Sequence, residues 1–400
     1  MIRNESVLCM PLTTWDSEFP NTLVQLMHEF SRFNNKILFV DYEFTIKDLV
    51  NGSNGGDRVP VKRILGIKPR LRKVKTKYNA DIYVLTPPPV LPVNWVKWDN
   101  PYRVLLQLNC FLIRKSINDA LIKLGISDPI LINGYNPFFG LHLAGAFKES
   151  LNIYYCYDEI KGDAFYSLHG PSIEKDYIRK VDGVITTSDA LHESKCHLHP
   201  NCFVVKNGVD LSLFNQVASQ PRRQKERPLI GYTGSIDERF DTECMHYLIR
   251  NMPEADFLLV GRTPNREAKE QLLHYPNVTF AGSRKPEEVP GFLVDVDVCI
   301  IPYIKSTTTR GVYPLKINEY LAAGKPVVMT DFAYISDLDC VVSVADNKEH
   351  FLQLVRSHLN STEQEIRRRI KIASRNSWEN KAEELSEAIE AIRVKKFIVQ

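Results

Sequence analysis

Short apolar runs recur along the chain, separated by longer segments whose apolar positions fall three or four apart. SVLCM reads as an opening strand, and NTLVQLMHEFSRF follows with Leu23, Leu26, Met27, Phe30 and Phe33 on helical spacing. KILFVDY returns as a strand after an Asn-Asn turn, and residues 47–60, with NGSNGGD, read as a loop. DIYVLTPPP, PILING, NIYYCYD, DGVITTS and NCFVVKNG continue the strands, with helices between most of them. A polar, basic stretch, NQVASQPRRQKERP (215–228), interrupts the series and reads as a linker. A second series then begins with LIGYTGS, DFLLVG, VTFAG, DVCIIPY and PVVMT, and the tail is helical and charged. Strands alternating with amphipathic helices predict parallel α/β architecture. The expected division is residues 1–214, a linker at 215–228, residues 229–376, and a terminal helix at 377–400.

Composition agrees with two folded domains. The chain has 400 residues, 44% hydrophobic and 25% charged, more than one ordinary core holds. A net charge of +3 gives no electrostatic reason to expect nucleic acid as a partner. The eight cysteines are scattered, most within apolar runs such as IYYCY and DVCII, as expected of buried thiols in a reducing compartment. No apolar run has the length of a membrane span, and MIRNESVLCMP lacks the apolar core of a signal peptide, so a cytoplasmic location is expected.

The stretch GVYPLKINEYLAAGKPVVMTDF (311–332) carries the most chemistry. Pro314 suits the first turn of a helix, and Gly324 suits the left-handed residue that closes it. Lys316 and Glu319 are three apart and share a face near the N-terminus, where free N–H groups and the helix dipole favour phosphate. Locally, an ordinary surface ion pair accounts for the same residues. Ligands of open parallel sheets, however, sit beyond the carboxyl ends of the strands, and this helix follows the strand DVCIIPY. It therefore starts at that edge.

GYTGSIDERFD, FLLVGRTPN, VTFAGSRKPEEVPGFLVDVDVCIIPY and PLKINEYLAAGKPVV occur in the order and at the spacings seen in GT-B glycosyltransferases. YCYDEIKGDAF, VDGVITTSDAL and VVKNGVDLSLF resemble the same group, so the likeness spans roughly residues 130–335. The set resembles the family-4-like enzymes of bacterial cell-surface polysaccharide synthesis, notably the teichuronic-acid type. The resemblance implies two Rossmann-like domains facing across a cleft, with the C-terminal helix crossing back to the first domain. It implies a nucleoside diphosphate sugar, with uridine the expected base, on the second domain, and a glycan or lipid-linked glycan acceptor on the first. Carried over, Lys316 neutralises the donor diphosphate and Glu319 binds the ribose hydroxyls. Gly234 and Ser235 let backbone N–H groups approach the phosphates, Arg262 is a second cation, and Arg284 lies near the base. A helix N-terminus and fixed cations stabilise the charge that builds on the leaving diphosphate. No metal or other cofactor is implied, and DVD (295–297) opens a strand rather than forming a metal motif.

One departure stands out. Many family-4 members carry a donor-sugar glutamate eight positions before the one matching Glu319; here that position is Gly311. Arg310 and the hydroxyl run 306–309, Thr309 among them, are the candidate substitutes. On the acceptor side, Asp158 and Glu159 follow the strand NIYYCY at its carboxyl edge, where Asp158 is the candidate base or acceptor-binding carboxylate. Asp16 and Glu18, in the loop after the first strand, are further candidate acceptor contacts, with an exposed loop charge as the simpler account of both. HESKCHLHPNC (192–202) holds histidines and cysteines, but not at a standard zinc spacing. Residues 58–78 carry nine basic residues and no acidic one among Val, Ile and Leu, which suits peripheral contact with an anionic membrane surface, with a solvated basic face as the rival reading. Two rival readings share the fold: a sugar-nucleotide 2-epimerase, and a non-catalytic sugar-nucleotide-binding protein, for which Gly311 is the motive.

Overall fold

The apolar runs become parallel strands, the central ones buried on both faces. A computed structural model of the chain describes all residues except 19–20, 55–56, 163–165, 222–224 and 400. It divides into two units, Met1–Lys206 with Lys381–Gln400, and Asn207–Asn380.

Unit 1 contains strands β1 (Ser6–Pro11), β2 (Lys36–Val40), β3 (Leu71–Lys75), β4 (Asp81–Leu85), β5 (Ile130–Gly134), β6 (Leu151–Cys156), β7 (Gly183–Thr186) and β8 (Cys202–Val204). They form one sheet in the order β8-β7-β6-β5-β1-β2-β4-β3, parallel except for β3 against β4. β5 and β6 are buried along their whole length, which is why they read as continuous apolar runs rather than alternating ones. β3 is an edge strand whose Lys73 and Lys75 both pair with Asp81 on β4, and charges of this kind blunt an edge against further pairing. The chain leaves β1 in one direction and returns to β5 on its other side, so the switch point lies between them, with Pro11 opposite Gly134. The long helix α1 (Asp99–Leu124) covers the sheet and ends at Gly125 in the left-handed conformation.

Unit 2 contains β9 (Leu229–Thr233), β10 (Asp256–Val260), β11 (Val278–Gly282), β12 (Val298–Ile301), β13 (Val327–Thr330) and β14 (Val342–Ala345). All pair in parallel in the order β11-β10-β9-β12-β13-β14, a doubly wound arrangement with its switch point between β9 and β12. Helix α2 (Leu315–Ala322) lies between β12 and β13.

The unit boundary falls at 206/207 rather than at 214. Asn207 donates from Nδ2 to the Tyr313 carbonyl at 2.9 Å and accepts at its own carbonyl from Asn318 Nδ2 of α2 at 2.9 Å. The NGVD turn is thereby bonded to α2. Within the expected linker, Gln216–Ser219 is a short helix, Lys225 pairs with Asp297, and Arg227 pairs with Asp256 at 2.8 Å. The terminal helix α3 (Trp378–Val399) contains the second boundary. From residue 381 onward it belongs to unit 1, where Ser386 Oγ accepts from the Ile2 N–H at 3.1 Å and Lys396 bonds Asp182 at 3.0 Å.

Candidate active site

The carboxyl edge of the unit 2 sheet gathers most of the residues expected to hold the donor. Lys316 and Glu319, in the first turns of α2, form a 2.8 Å ion pair, with side chains 23% and 11% exposed. Partial burial holds both groups in one geometry while leaving their outer faces open. Tyr320, next on the helix, fixes α2 to the end of β9: its hydroxyl accepts from the Thr233 N–H at 2.7 Å. The loop after β9 starts one residue later, at Gly234.

That loop needs glycine for a specific reason. Gly234 and Gly261 have φ of +155° and +148°, and a Cβ on Gly261 would lie 1.9 Å from the Gly234 carbonyl oxygen. The turns after β9 and β10 therefore touch backbone to backbone. Gly234 N–H donates to Val260 O at 2.8 Å, and Ile236 N–H donates to Arg262 O at 2.9 Å. Arg262, exposed, donates from Nε to Ser235 Oγ at 3.2 Å. Gly234, Ser235 and Arg262 are thus brought together, and the Tyr320 hydrogen bond ties them to the helix of Lys316 and Glu319.

Two expected donor residues stand apart. Arg284 is exposed beyond β11, its guanidinium 5.3 Å from the centre of the Phe292 ring. Thr309 is fully buried, and its hydroxyl is consumed locally: it donates to Ile304 O at 2.6 Å and accepts from the Ser306 N–H at 2.9 Å. A hydroxyl used to cap the helix Thr307–Arg310 is a poor donor-sugar contact.

Unit 1 has a cavity of about 740 Å³ at the switch point of its own sheet. Its walls come from the loops after β1, β2, β4 and β5, with Tyr42, Phe44, Val90, Trp95, Tyr102 and Phe138 prominent. Volume and mostly apolar, aromatic walls with a few polar groups are those of a small-molecule site. The polar group of note is Glu43, only 4% exposed, on the cavity wall. Asn136 Nδ2 donates to both carboxyl oxygens, at 3.2 and 3.1 Å, and is oriented by Asn133, which accepts from the Asn136 N–H at 3.0 Å. Burial pushes the Glu43 carboxyl up to about 8, against the opposing pull of its hydrogen bonds. Near neutral pH it is an acid that can donate as well as accept.

The expected acceptor residues fare differently. Asp158 is half-buried at the carboxyl end of β6, accepts from the Glu159 N–H at 3.0 Å, and is not part of the cavity wall. Glu159 is enclosed in a buried ion-pair cluster. It lies buried against Lys195 Nζ at 3.2 Å, and Lys195 bonds Glu174 at 2.7 Å. Burial disfavours charge on Lys195, but the two carboxylates hold its pKa above the ordinary lysine value. Asp16 is exposed and paired with Arg72 at 2.6 Å, and Glu18 is exposed on the same loop.

Two remaining motifs are absorbed by the fold. In 192–202, His192 bonds the Cys202 carbonyl and His199 bonds the Val181 carbonyl, and among the described residues no cluster of His, Cys, Asp or Glu is placed to hold a metal ion. In 58–78, Arg63 and Arg70 bond backbone carbonyls while Arg72, Lys73, Lys75 and Lys77 pair with Asp16, Asp81 and Glu29. The Arg58 side chain lies outside the described ones. Six of the nine cations are therefore engaged within unit 1, with Lys73 and Lys75 still more than half exposed.

Residues 227–361 match the family Glycosyl transferases group 1, which covers the β9–β14 sheet and α2. Among solved structures, the sucrose-phosphate synthase of Thermosynechococcus elongatus superposes with a TM-score of 0.69, covering 98% of this chain and 100% of that one at 14% identity. The chain has the GT-B fold. Anabaena Alr3699/HepE, solved in complex with UDP and glucose, superposes on the GT-B chain at a TM-score of 0.65, with 14% identity over 96% of this chain and 99% of that one. TuaH of Bacillus subtilis (strain 168), itself provisionally named a teichuronic acid biosynthesis glycosyltransferase, is 32% identical over 183 residues, 42% of this chain and 45% of that protein. The sulfoquinovosyl transferase SQD2 of Arabidopsis thaliana is 28% identical over 138 residues, 33% of this chain and 26% of that protein. The matches thus span less than half the length of either relative. Among the described residues no helix is long and apolar enough to cross a membrane.

Proposed function

We propose that the chain transfers a sugar from a nucleoside diphosphate sugar, with uridine as the base, to a hydroxyl of a glycan or lipid-linked glycan during synthesis of a cell-surface polysaccharide, working in the cytoplasm. One observation carries this reading: the N-terminus of α2 bears the Lys316–Glu319 pair and is bonded through Tyr320 to the glycine turn after β9. A diphosphate set against that turn meets the Ser235 backbone, which the glycine turn brings to the edge, the Lys316 ammonium, the positive end of α2 and the Arg262 guanidinium. As the sugar–phosphate bond breaks, charge builds on the departing diphosphate, and donors already fixed in place stabilise it without reorganising. Glu319 takes the ribose hydroxyls, and its pairing with Lys316 orients both before the donor arrives. Chemistry of this kind runs on fixed cations and backbone dipoles, and we assign no metal to it. HepE, solved with UDP and glucose, and TuaH, named for teichuronic acid biosynthesis, support the donor and the pathway respectively.

The aromatic cavity of unit 1 is the acceptor site in this reading. Sugar rings stack on Tyr and Trp faces, while Glu43 exchanges hydrogen bonds with an acceptor hydroxyl. Asp158 remains the second carboxylate of the acceptor side. The test is release of nucleoside diphosphate from UDP-, GDP-, ADP- and dTDP-sugars, with and without a panel of glycan and lipid-linked glycan acceptors. Acceptor-dependent release from one donor supports the proposal. A donor isomerised without acceptor points to the epimerase, and nucleotide binding without consumption points to a binding protein; either result refutes it.

A further inference from the structure

Helix α1 has two apolar faces. One packs on the sheet through Tyr102, Leu106, Ile113 and Ile117, all buried. The other points to solvent, with Val104, Leu108, Phe111 and Ile122 exposed by 57, 54, 67 and 79%. At 100° per residue these four fall within about a 60° sector, with Lys115 inside it, so they make a stripe along roughly 27 Å of helix. Trp95 and Trp98, just before the helix, are 71% and 72% exposed. They are not on a loose loop: Leu91 exchanges two 2.9 Å hydrogen bonds with the Asn109 side chain of α1, and the Val96 carbonyl bonds His169 at 2.8 Å. A backbone braced on both sides thus holds two indoles out into solvent.

We infer that this face, the outer stripe of α1 with Trp95 and Trp98, docks on an anionic lipid surface. Three features favour lipid over a protein partner. Indole rings beside an apolar stripe suit the interface between headgroups and acyl chains. The exposed cations of this segment, Lys97, Arg114, Lys115 and Lys123, outnumber its exposed acids, Asp99 and Asp119, and Asp99 is paired with Arg103 at 2.8 Å. Finally, the stretch leading into α1 also walls the 740 Å³ cavity, through Leu91 and Trp95, so that Trp95 belongs both to the cavity and to the exposed face. A lipid-linked acceptor with its head in the cavity would lay its chain along the stripe, a link that rests on the acceptor reading given above. The surface lies outside the 58–78 stretch, whose cations are largely engaged.

The full chain is sedimented with vesicles of phosphatidylcholine alone and of phosphatidylcholine mixed equally with phosphatidylglycerol. The expected result is binding to the anionic vesicles, weakened by salt, and reduced at least about tenfold in Leu108→Ser/Phe111→Ser. Both side chains are exposed, so the variant should melt with the wild type and bind nucleotide as it does. Absence of binding to either vesicle, or binding that the double variant retains in full, overturns the proposal. So does a concentration-dependent dimer of the wild type that the variant abolishes, which would assign the face to a second copy. Because no turnover is read, failure here is separate from failure of the transferase reading.

Discussion

Replacing Glu43 by glutamine isolates the buried acid of the unit 1 cavity. The carboxyl is held at about 8 in the folded protein, against an ordinary value of 4.5. Between those values the native chain carries a proton that the unfolded chain has released. Its contribution to stability is therefore complete below about pH 4.5 and is lost as pH rises towards 8. Integrated from pH 5.5 to 7.5, the loss is about 2.5 kcal/mol from this one group. Glutamine has the shape of the protonated acid and keeps one carbonyl oxygen, so one of the two Asn136 Nδ2 contacts survives while the other is lost at every pH and drops out of the pH-dependent difference. Asp41, raised by burial to about 6, and His28, lowered by burial to about 4, titrate in both proteins and cancel in the difference. Urea unfolding followed by tryptophan fluorescence is a suitable assay, since Trp15, Trp95 and Trp98 all belong to unit 1. Relative to wild type, Glu43→Gln should gain about 2.5 kcal/mol between pH 5.5 and 7.5. Parallel stability profiles would show that Glu43 is ionised in the fold, and the neutral-acid account would fail.

Lys195→Ala leaves Glu159 and Glu174 buried without their cation and should cost about 3–5 kcal/mol in urea unfolding of unit 1. Tyr320→Phe strips the Thr233 N–H of its acceptor and should cost about 1–3 kcal/mol; calorimetry with UDP should show weaker binding as α2 loosens from the β9 turn. Gly261→Ala forces a Cβ against the Gly234 carbonyl, so the turns after β9 and β10 must separate. It should destabilise unit 2 by about 1–3 kcal/mol and abolish nucleotide binding, read by melting temperature with and without UDP.

The layered α/β plan and the place of α2 at the carboxyl edge were legible because parallel strands and glycine turns write themselves locally. DVCIIPY followed by PLKINEYLAAGKP announces strand, helix start and helix end in order, and α2 lies where they place it. Glu43 was missed although its signal was present. It follows the buried strand KILFV, as Asp158 follows NIYYCY, and the same edge argument applies to both. What no local pattern reveals is the partner. Glu159 is paired with Lys195, thirty-six positions on, and four cations of 58–78, Arg72, Lys73, Lys75 and Lys77, with Asp16, Asp81 and Glu29, all contacts made in the folded chain. The domain boundary erred for the same reason, since only the folded chain shows Asn207 bonded to Asn318. Thr309 illustrates the opposite error: a hydroxyl run suggested sugar contacts, whereas Ser306 and Thr309 cap each other's helix turn.

The most direct test of the central claim is calorimetric titration with UDP, GDP, ADP, dTDP and CMP of the wild type, Lys316→Ala and Glu319→Ala. The account predicts that UDP binds the wild type, that Lys316→Ala weakens binding at least about tenfold by removing the charge opposite the diphosphate, and that Glu319→Ala weakens it through the ribose. Binding of no nucleotide, or equal affinities in all three proteins, would contradict the assignment of α2 as the diphosphate clamp.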